Sequence, residues 1–285
     1  HVCNNVSEHF CKAHPALAIT KDSLSDPDAL AKKISGATDF VHLAAKIDYT
    51  ATLEEMEKAN TEPTKVAAKA CKKSGARLVF ISSTSVTRAA SAKPIDEETP
   101  TTPINNYGKS KLLAEAAIKQ AGVPHVIARL GPAIYGPGFT EGFSKIVQMA
   151  RTGNLALIGS GENRITFIHA SDAISAIEAI IANPLVREGT FYFTGKPITQ
   201  KHALDTLAGA LGVFAPTKHV SKELAIRALQ LRNAALTLLG RKTSMTVENI
   251  LTLSDNREFD CTKARETFGW EPKVRLSKES LKPYL

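Results

Sequence analysis

The chain has 285 residues, 43% hydrophobic and 22% charged, an ordinary globular composition with length enough to bury a large core in one domain or two lobes. Its formal charge is +8, but the basic residues lie in short pairs such as Lys32-Lys33, Lys72-Lys73 and Arg241-Lys242, with no basic block carrying interleaved aromatics, which argues against a nucleic-acid surface. No apolar run approaches the ~18 residues a spanning helix needs. Cys3, Cys11, Cys71 and Cys261 form no Cys-x-x-Cys pair, which reads as a reduced, cytoplasmic protein. Cys3, His9, Cys11 and His14 match no structural-zinc spacing, so no metal is expected.

Along the chain, 6–13 reads as a short helix and 16–20 as a short strand, followed by Lys21-Asp22-Ser23-Leu24. Asp26-Pro27 opens a helix to about residue 35, with proline in the first turn. Residues 38–43 form a buried strand, and the small Ala44 and Ala45 after it would let a flat ligand approach the backbone. A long helix is predicted over 53–73. Pro63 lies inside it, and an interior proline costs ~3 kcal/mol, so a kink or restart is expected there. Asn60, just before it, is a candidate site residue or a helix cap.

Next comes a strand whose apolar run, Leu78 to Ile81, suits a sheet covered on both faces. It ends in Ser82, Ser83, Thr84 and Ser85, where an open α/β sheet places its ligands. The segment Asn105-Asn106-Tyr107-Gly108-Lys109-Ser110-Lys111 begins a helix over 106–121, stopped by Gly122 and Pro124. Tyr107 and Lys111 are four apart and share a face of that helix. An ammonium beside a phenol favours the phenolate, which can take a proton from an alcohol or return one to a carbonyl. A further strand over 125–130 runs into Gly131-Pro132-Ala133-Ile134-Tyr135-Gly136-Pro137-Gly138.

The second half alternates less regularly. A helix is predicted over 143–151, and 155–158 with 164–168 read as a hairpin or two short strands around Gly159 and Gly161. No helix follows those glycines directly, so they are not a phosphate loop. Ser171 or Asp172 would cap a helix to about 182; a strand over 189–194 and a helix over 199–211 follow. The leucine-rich 222–239 is helical, and Arg227 and Arg232 within it favour core packing or a substrate lid over insertion. Near the end, Thr262 would cap a short helix and Trp270 anchor the small lobe. The alternation implies an α/β, Rossmann-like, doubly wound parallel sheet with a smaller C-terminal α/β substrate lobe.

Strand-Ser-Ser, then Tyr-x-x-x-Lys, then Arg-x-x-Pro-x-x-x-Tyr-Gly-Pro-Gly, in that order, resembles the extended short-chain dehydrogenase/reductases. That family includes nucleotide-sugar epimerases and dehydratases and 3β-hydroxysteroid dehydrogenase-like enzymes. The run from Arg257 through Trp270 to Pro272 resembles its C-terminal signature. The resemblance implies an NAD(P)-dependent oxidoreductase moving hydride at a secondary alcohol or ketone. Tyr107 would be the general acid/base, Lys111 would lower its pKa and hold the nicotinamide ribose, and Asn60 would shape the active site. Ser83 would hydrogen-bond the substrate oxygen with Thr84 as helper. Asp22, Ser23, Leu43, Ala44, Ala45, Pro132 and Ala133 would border the cofactor, NAD rather than NADP by a weak lean, and Tyr135 and Arg164 would face the substrate. Arg164 could reach a phosphate.

Residues 1–135 with parts of 165–195 would form the dinucleotide domain, and 136–164 with 196–285 the substrate lobe. The partner would be a small molecule, a nucleotide sugar or a steroid-like alcohol, and two copies could pair through helices 53–73 and 106–121. A nucleotide-sugar epimerase or dehydratase is the alternative, and a redox-inactive NAD(P)-binding protein the third reading. No Gly-x-x-Gly-x-x-Gly occurs, so the chain is expected to begin near the second strand of the fold, without the backbone cradle for the pyrophosphate.

Overall fold

The computed structural model describes residues 24–88, 93–138, 141–241, 243 and 246–285. The expected strand over 16–20, and Asp22 and Ser23, lie outside the described residues. Helix α1 (Pro27–Lys33) starts where the Asp26 carboxylate accepts the N–H groups of Asp28 and Ala29, with Pro27 in the first turn. Strand β1 (Asp39–His42) follows. Helix α2 (Leu53–Met56) opens on a capping box of Thr52 and Glu55, then runs into a π turn, Glu57–Thr61, before the chain restarts as α3 (Glu62–Ser74) with Pro63 in its first turn. The restart predicted at Pro63 is therefore present. There the missing N–H falls among the unpaired donors of a first turn.

Strand β2 (Arg77–Ser83), helix α4 (Asn106–Ala121), strand β3 (His125–Leu130) and the short β4 (Ile134–Tyr135) come next. Then follow α5 (Glu141–Arg151), β5 (Leu157–Ile158), β6 (Arg164–Ile165), β7 (Ile168–His169), α6 (Ala170–Ile181), β8 (Glu188–Phe193), β9 (Ile198–Thr199) and α7 (Gln200–Leu211). The chain closes with β10 (His219–Val220), α8 (Lys222–Leu238), α9 (Val247–Ser254) and α10 (Thr262–Phe268).

Strands β1, β2, β3 and β8 form one parallel sheet in that order. Alternate residues serve its two faces. Leu78, Phe80 and Ile127 meet Ala67, Ala68 and Cys71 of α3 and Ala114 and Ile118 of α4. Val79, Val126, Ala128 and Leu130 meet Ala173, Ala176 and Ile180 of α6, with Phe268 and Trp270. Helices on both faces explain why β2 and β3 read as continuous apolar runs.

Of the hairpin or two short strands expected over 155–158 and 164–168, the short strands form and the hairpin does not. β5 pairs parallel with β10, β6 antiparallel with β9, and β7 parallel with β4. Gly159 and Gly161 both hold positive φ and turn the chain away from itself. The Leu157 and Gly159 N–H groups donate instead to the carbonyls of Lys218 and Val220. Two caps also differ. The His169 ring caps α6 by accepting from the Ser171 N–H, while the Asp172 carboxylate accepts the N–H groups of Lys273 and Val274 at 3.1 and 3.0 Å. With the Trp270 indole donating to the Ser175 hydroxyl at 3.0 Å, this pins the C-terminal segment to α6, the anchoring expected of Trp270. Thr262 is the first helical residue of α10, not its cap, and donates its N–H to Asp260 at 2.8 Å. Among the described residues no helix is long and apolar enough to cross a membrane.

Candidate active site

Strand β2 delivers Ser82 and Ser83 to its carboxyl end, and a single 3-10 turn, Thr84–Val86, follows. Helix α4 lies across this turn, its start fixed by the Asn105 side chain accepting the Gly108 N–H at 2.6 Å. Gly108 makes the approach feasible, since a Cβ there would stand 2.3 Å from the Ser85 carbonyl oxygen. The Tyr107 phenol is thereby brought beside the Ser83 hydroxyl, whose own oxygen accepts the Ser85 N–H at 3.1 Å. Tyr107 is buried, edge-on to Tyr49 with ring centres 5.7 Å apart, and Ala51 and Met56 close around it. Burial pushes its pKa up, the Tyr49 phenol adds to the rise, and the Ser83 hydrogen bond opposes it.

Lys111, one turn along α4, donates from Nζ to the Ile81 carbonyl at 2.6 Å and stands 4.2 Å from the centre of the Phe80 ring. Burial pulls its amine down to about 7, and the charge of Glu115 pulls it back up. The Lys111 amine is committed to the strand backbone, and Ser83 is the group that favours the phenolate.

Asn60 lies buried in the π turn. Its Oδ1 accepts the Lys46 N–H at 2.7 Å, and its Nδ2 donates to the Lys46 carbonyl at 3.1 Å and to the Ser110 hydroxyl at 3.0 Å. Ser110 in turn donates to the Tyr107 carbonyl at 2.8 Å. Asn60 thus ties the segment after β1 to the helix bearing Tyr107. Its amide is occupied by the Lys46 backbone and Ser110, an arrangement that shapes the site through the helix bearing Tyr107.

A second buried network stands behind Lys111. Glu115 accepts from Ser82 at 2.6 Å and from Arg129 Nε and Nη2 at 3.1 and 2.8 Å. Arg129 Nη1 donates to the Tyr192 hydroxyl at 3.0 Å, which meets Thr87 at 2.7 Å. Sequence reasoning missed this network, along with Gly108 and Tyr49. One signal was available: Glu115 is a carboxylate one turn beyond Lys111, between the core residues Ala114 and Ile118, and a charge there requires a partner.

The remaining candidates divide. Leu43, 58% exposed, and the exposed Ala44 and Ala45 form an apolar ledge just beyond the carboxyl end of β1. Pro132 and Ala133 are half-buried after β3. Thr84 is fully buried beneath Gly131, where a Cβ would meet its Oγ1 at 2.8 Å, and that Oγ1 has no hydrogen-bond partner. It is shut away from a substrate rather than facing one. Tyr135 also does not face a substrate: it packs against the rings of Phe143, Phe167 and His169 at 5.3, 6.5 and 5.1 Å, because β4 turns it into the aromatic core of the C-terminal half. Arg164 pairs with Glu258 at 2.7 Å, so its charge is already matched. A bare apolar ledge beyond the carboxyl end of a parallel strand fits the flat part of a ligand such as a dinucleotide.

A serine ending a central parallel strand, beside a buried tyrosine with a lysine one turn beyond it, defines the short-chain dehydrogenase/reductase class on a Rossmann-type sheet. The chain belongs within it to the NAD dependent epimerase/dehydratase family, whose model matches residues 2–192. The cofactor of that family is NAD. The chain is 32% identical to the ceramide reductase of Caulobacter vibrioides over 59% of its own length, and the match spans 48% of that relative. It is 26% identical to the 2-alkyl-3-oxoalkanoate reductase of Stenotrophomonas maltophilia, over 90% of this chain and 82% of that protein. The fold is shared with the UDP-glucuronic acid 4-epimerase from Bacillus cereus, solved in complex with NAD, at a TM-score of 0.73, 18% identity and coverage of 96% of this chain and 82% of that one.

Proposed function

We propose that this chain works as an NAD-dependent oxidoreductase on a secondary alcohol or ketone carried by an apolar molecule, with Tyr107 as general acid/base. The observation that carries the reading is the buried Tyr107 at the start of α4, set beside Ser83 at the carboxyl end of β2 with Lys111 one turn along. Bound NAD supplies the hydride chemistry. In reduction, Tyr107 gives its proton to the carbonyl oxygen while the Ser83 hydroxyl hydrogen-bonds the same oxygen. The phenol is protonated near neutral pH and can donate, while its burial makes the phenolate left behind costly until a neighbouring positive charge supports it.

Leu43, Ala44 and Ala45 would carry the flat parts of the cofactor, Tyr107 and Lys111 its ribose, and Pro132 and Ala133 its nicotinamide end. Residues 136–164 and 196–285 would form the lobe that closes on the substrate. Two copies would pair through helices 53–73 and 106–121, a reading supported by exposed Leu113 on α4.

Two observations favour an apolar ketone. Arg164, the candidate phosphate ligand, is committed to Glu258. Two relatives are named as reductases, of ceramide and of 2-alkyl-3-oxoalkanoate, and we carry that class to this chain. A second reading, nucleotide-sugar epimerase, is favoured by 44% identity over 57 residues to the UDP-glucose 4-epimerase of Azospirillum brasilense. NADH absorbance separates the two. Net NADH consumption with a 2-alkyl-3-oxoalkanoate, and none with UDP-glucose, is the expected result. Conversion of UDP-glucose to its 4-epimer without net NADH change, with every ketone inert, would replace this reading with the second.

A further inference from the structure

Helix α8 is apolar on two sides. Leu229 is buried on its inner side, where the helix packs on α9, and Lys222 pairs with Asp255 at its start. The outer side carries a second stripe, Leu224, Ala228, Leu231, Ala235 and Leu238, recurring in steps of four and three that keep it on one face. Every member of that stripe is exposed, with Leu224 at 59%, Leu231 at 74% and Leu238 at 89%, and Leu239 beside them at 71%. By helical geometry Arg227 borders the stripe on one side and Arg232 on the other, both exposed, and Glu223 in the first turn is the helix's one acid.

A helix with leucines on its outer face and long basic side chains along both edges suits the plane of a lipid interface. The leucines enter the acyl boundary while the guanidinium groups stay at the headgroups. The charges choose among occupants. A second copy seated on the same stripe would bring Arg227 and Arg232 to a desolvated seam whose only acid is Glu223 at one end, and buried cations without carboxylates are costly. An anionic headgroup layer supplies that counter-charge all along both borders, and the chain's net +8 favours approach to it. We propose that the outer face of α8 docks the protein on an anionic phospholipid surface, as a peripheral contact rather than a span. This goes beyond the proposed activity, which needs no membrane, and stands or falls separately from it.

Vesicle sedimentation of the full chain tests it, using phosphatidylcholine vesicles with and without phosphatidylglycerol. Binding is expected on the anionic vesicles, weakening as salt rises and falling sharply on pure phosphatidylcholine. Leu231→Glu/Leu238→Glu and Arg227→Glu/Arg232→Glu should each lower that binding by about tenfold or more, since each basic residue and each inserted side chain contributes separately. Both variants change exposed positions of α8, so circular dichroism and thermal unfolding should match the parent. The inference is overturned by absence of binding to anionic vesicles at low salt. It is equally overturned by binding that neither variant weakens, or by a solution dimer that Leu231→Glu/Leu238→Glu splits, which would assign the stripe to a second copy.

Discussion

Truncating Glu115 to alanine is the most informative single perturbation of this structure. Glu115 is 1% exposed and Arg129 4%, and the pair is bidentate at 3.1 and 2.8 Å. The change leaves a guanidinium in the core with the Tyr192 hydroxyl at 3.0 Å as its remaining polar contact in the network, and it removes the acceptor of the Ser82 hydroxyl. Breaking one side of a buried pair costs ~3–5 kcal/mol, because the surviving charge stays desolvated. At ~2–4 °C per kcal/mol for a chain of this size class, Tm should fall by roughly 10 °C. The exposed pair Lys65–Glu62, at 2.7 Å, is the internal control, and its removal should cost no more than ~1 kcal/mol. Urea and thermal unfolding followed by circular dichroism give both numbers. Glu115→Leu/Arg129→Met should recover most of the loss, since no charge is left stranded. Turnover reports on a second consequence: Glu115 holds the Lys111 amine up, so its removal should reduce kcat beyond what an equally destabilised variant elsewhere shows. A Glu115→Ala protein within ~1 kcal/mol of the parent, or a double variant worse than either single one, would refute the reasoning.

Tyr107→Phe should keep the fold and cofactor binding and lose turnover by about 10²- to 10⁴-fold, the usual worth of a positioned proton donor; near-normal steady-state rates would remove Tyr107 from the mechanism. Ser83→Ala should cut turnover well beyond Ser85→Ala, because Ser83 is the hydroxyl on the phenol; the reverse order in parallel assays would move the site along the strand. Asn60→Ala should lower kcat with little effect on a substrate's KM while costing ~1–3 kcal/mol in urea melts, since it strands the Lys46 and Ser110 partners. His42 is buried and its pKa is lowered from 6.5 to about 4, first by burial and second by Lys111. The folded state therefore favours the neutral ring, so this contribution, up to about 3 kcal/mol, is complete above pH 6.5 and is lost as pH falls toward 4. His42→Phe should flatten the acid limb of the stability profile over that window.

The sheet and the centre of the site were legible in the sequence for physical reasons. A strand covered on both faces needs a continuous apolar run, and Leu78 to Ile81 supplies one. Four-residue spacing fixes Tyr107 and Lys111 on one side of α4 whatever the tertiary context, and Pro63 forces a restart because it lacks a donor. What failed depended on distant partners. Strands of two residues, such as β5 and β6, carry no period, and their partners at 219–220 and 198–199 were chosen by tertiary fit. Arg164 reads the same whether it meets a phosphate or Glu258, and Tyr135 the same whether it lines a cleft or an aromatic core. The leucines of α8 show helical recurrence, yet that does not say which face meets protein; the inner face holds Leu229 and the outer stripe stays bare.

One cause, burial, acts in opposite senses on the two central groups of the site. It raises the Tyr107 phenol and lowers the Lys111 amine, and so favours the uncharged form of each. The consequences differ. The phenol is left protonated across the neutral range, with the Ser83 hydroxyl beside it opposing the rise. The amine, at about 7, stands where modest changes nearby decide its charge, and Glu115 is the group that holds it toward the ammonium. An ammonium one helical turn from Tyr107 would add little before proton transfer and most after it, when a phenolate has formed in a poorly solvated place. The buried chain of Ser82, Glu115, Arg129 and Tyr192 then has a chemical consequence as well as a structural one. By fixing the Glu115 carboxyl group one turn behind Lys111, it supports the positive charge that the departing proton leaves Tyr107 in need of.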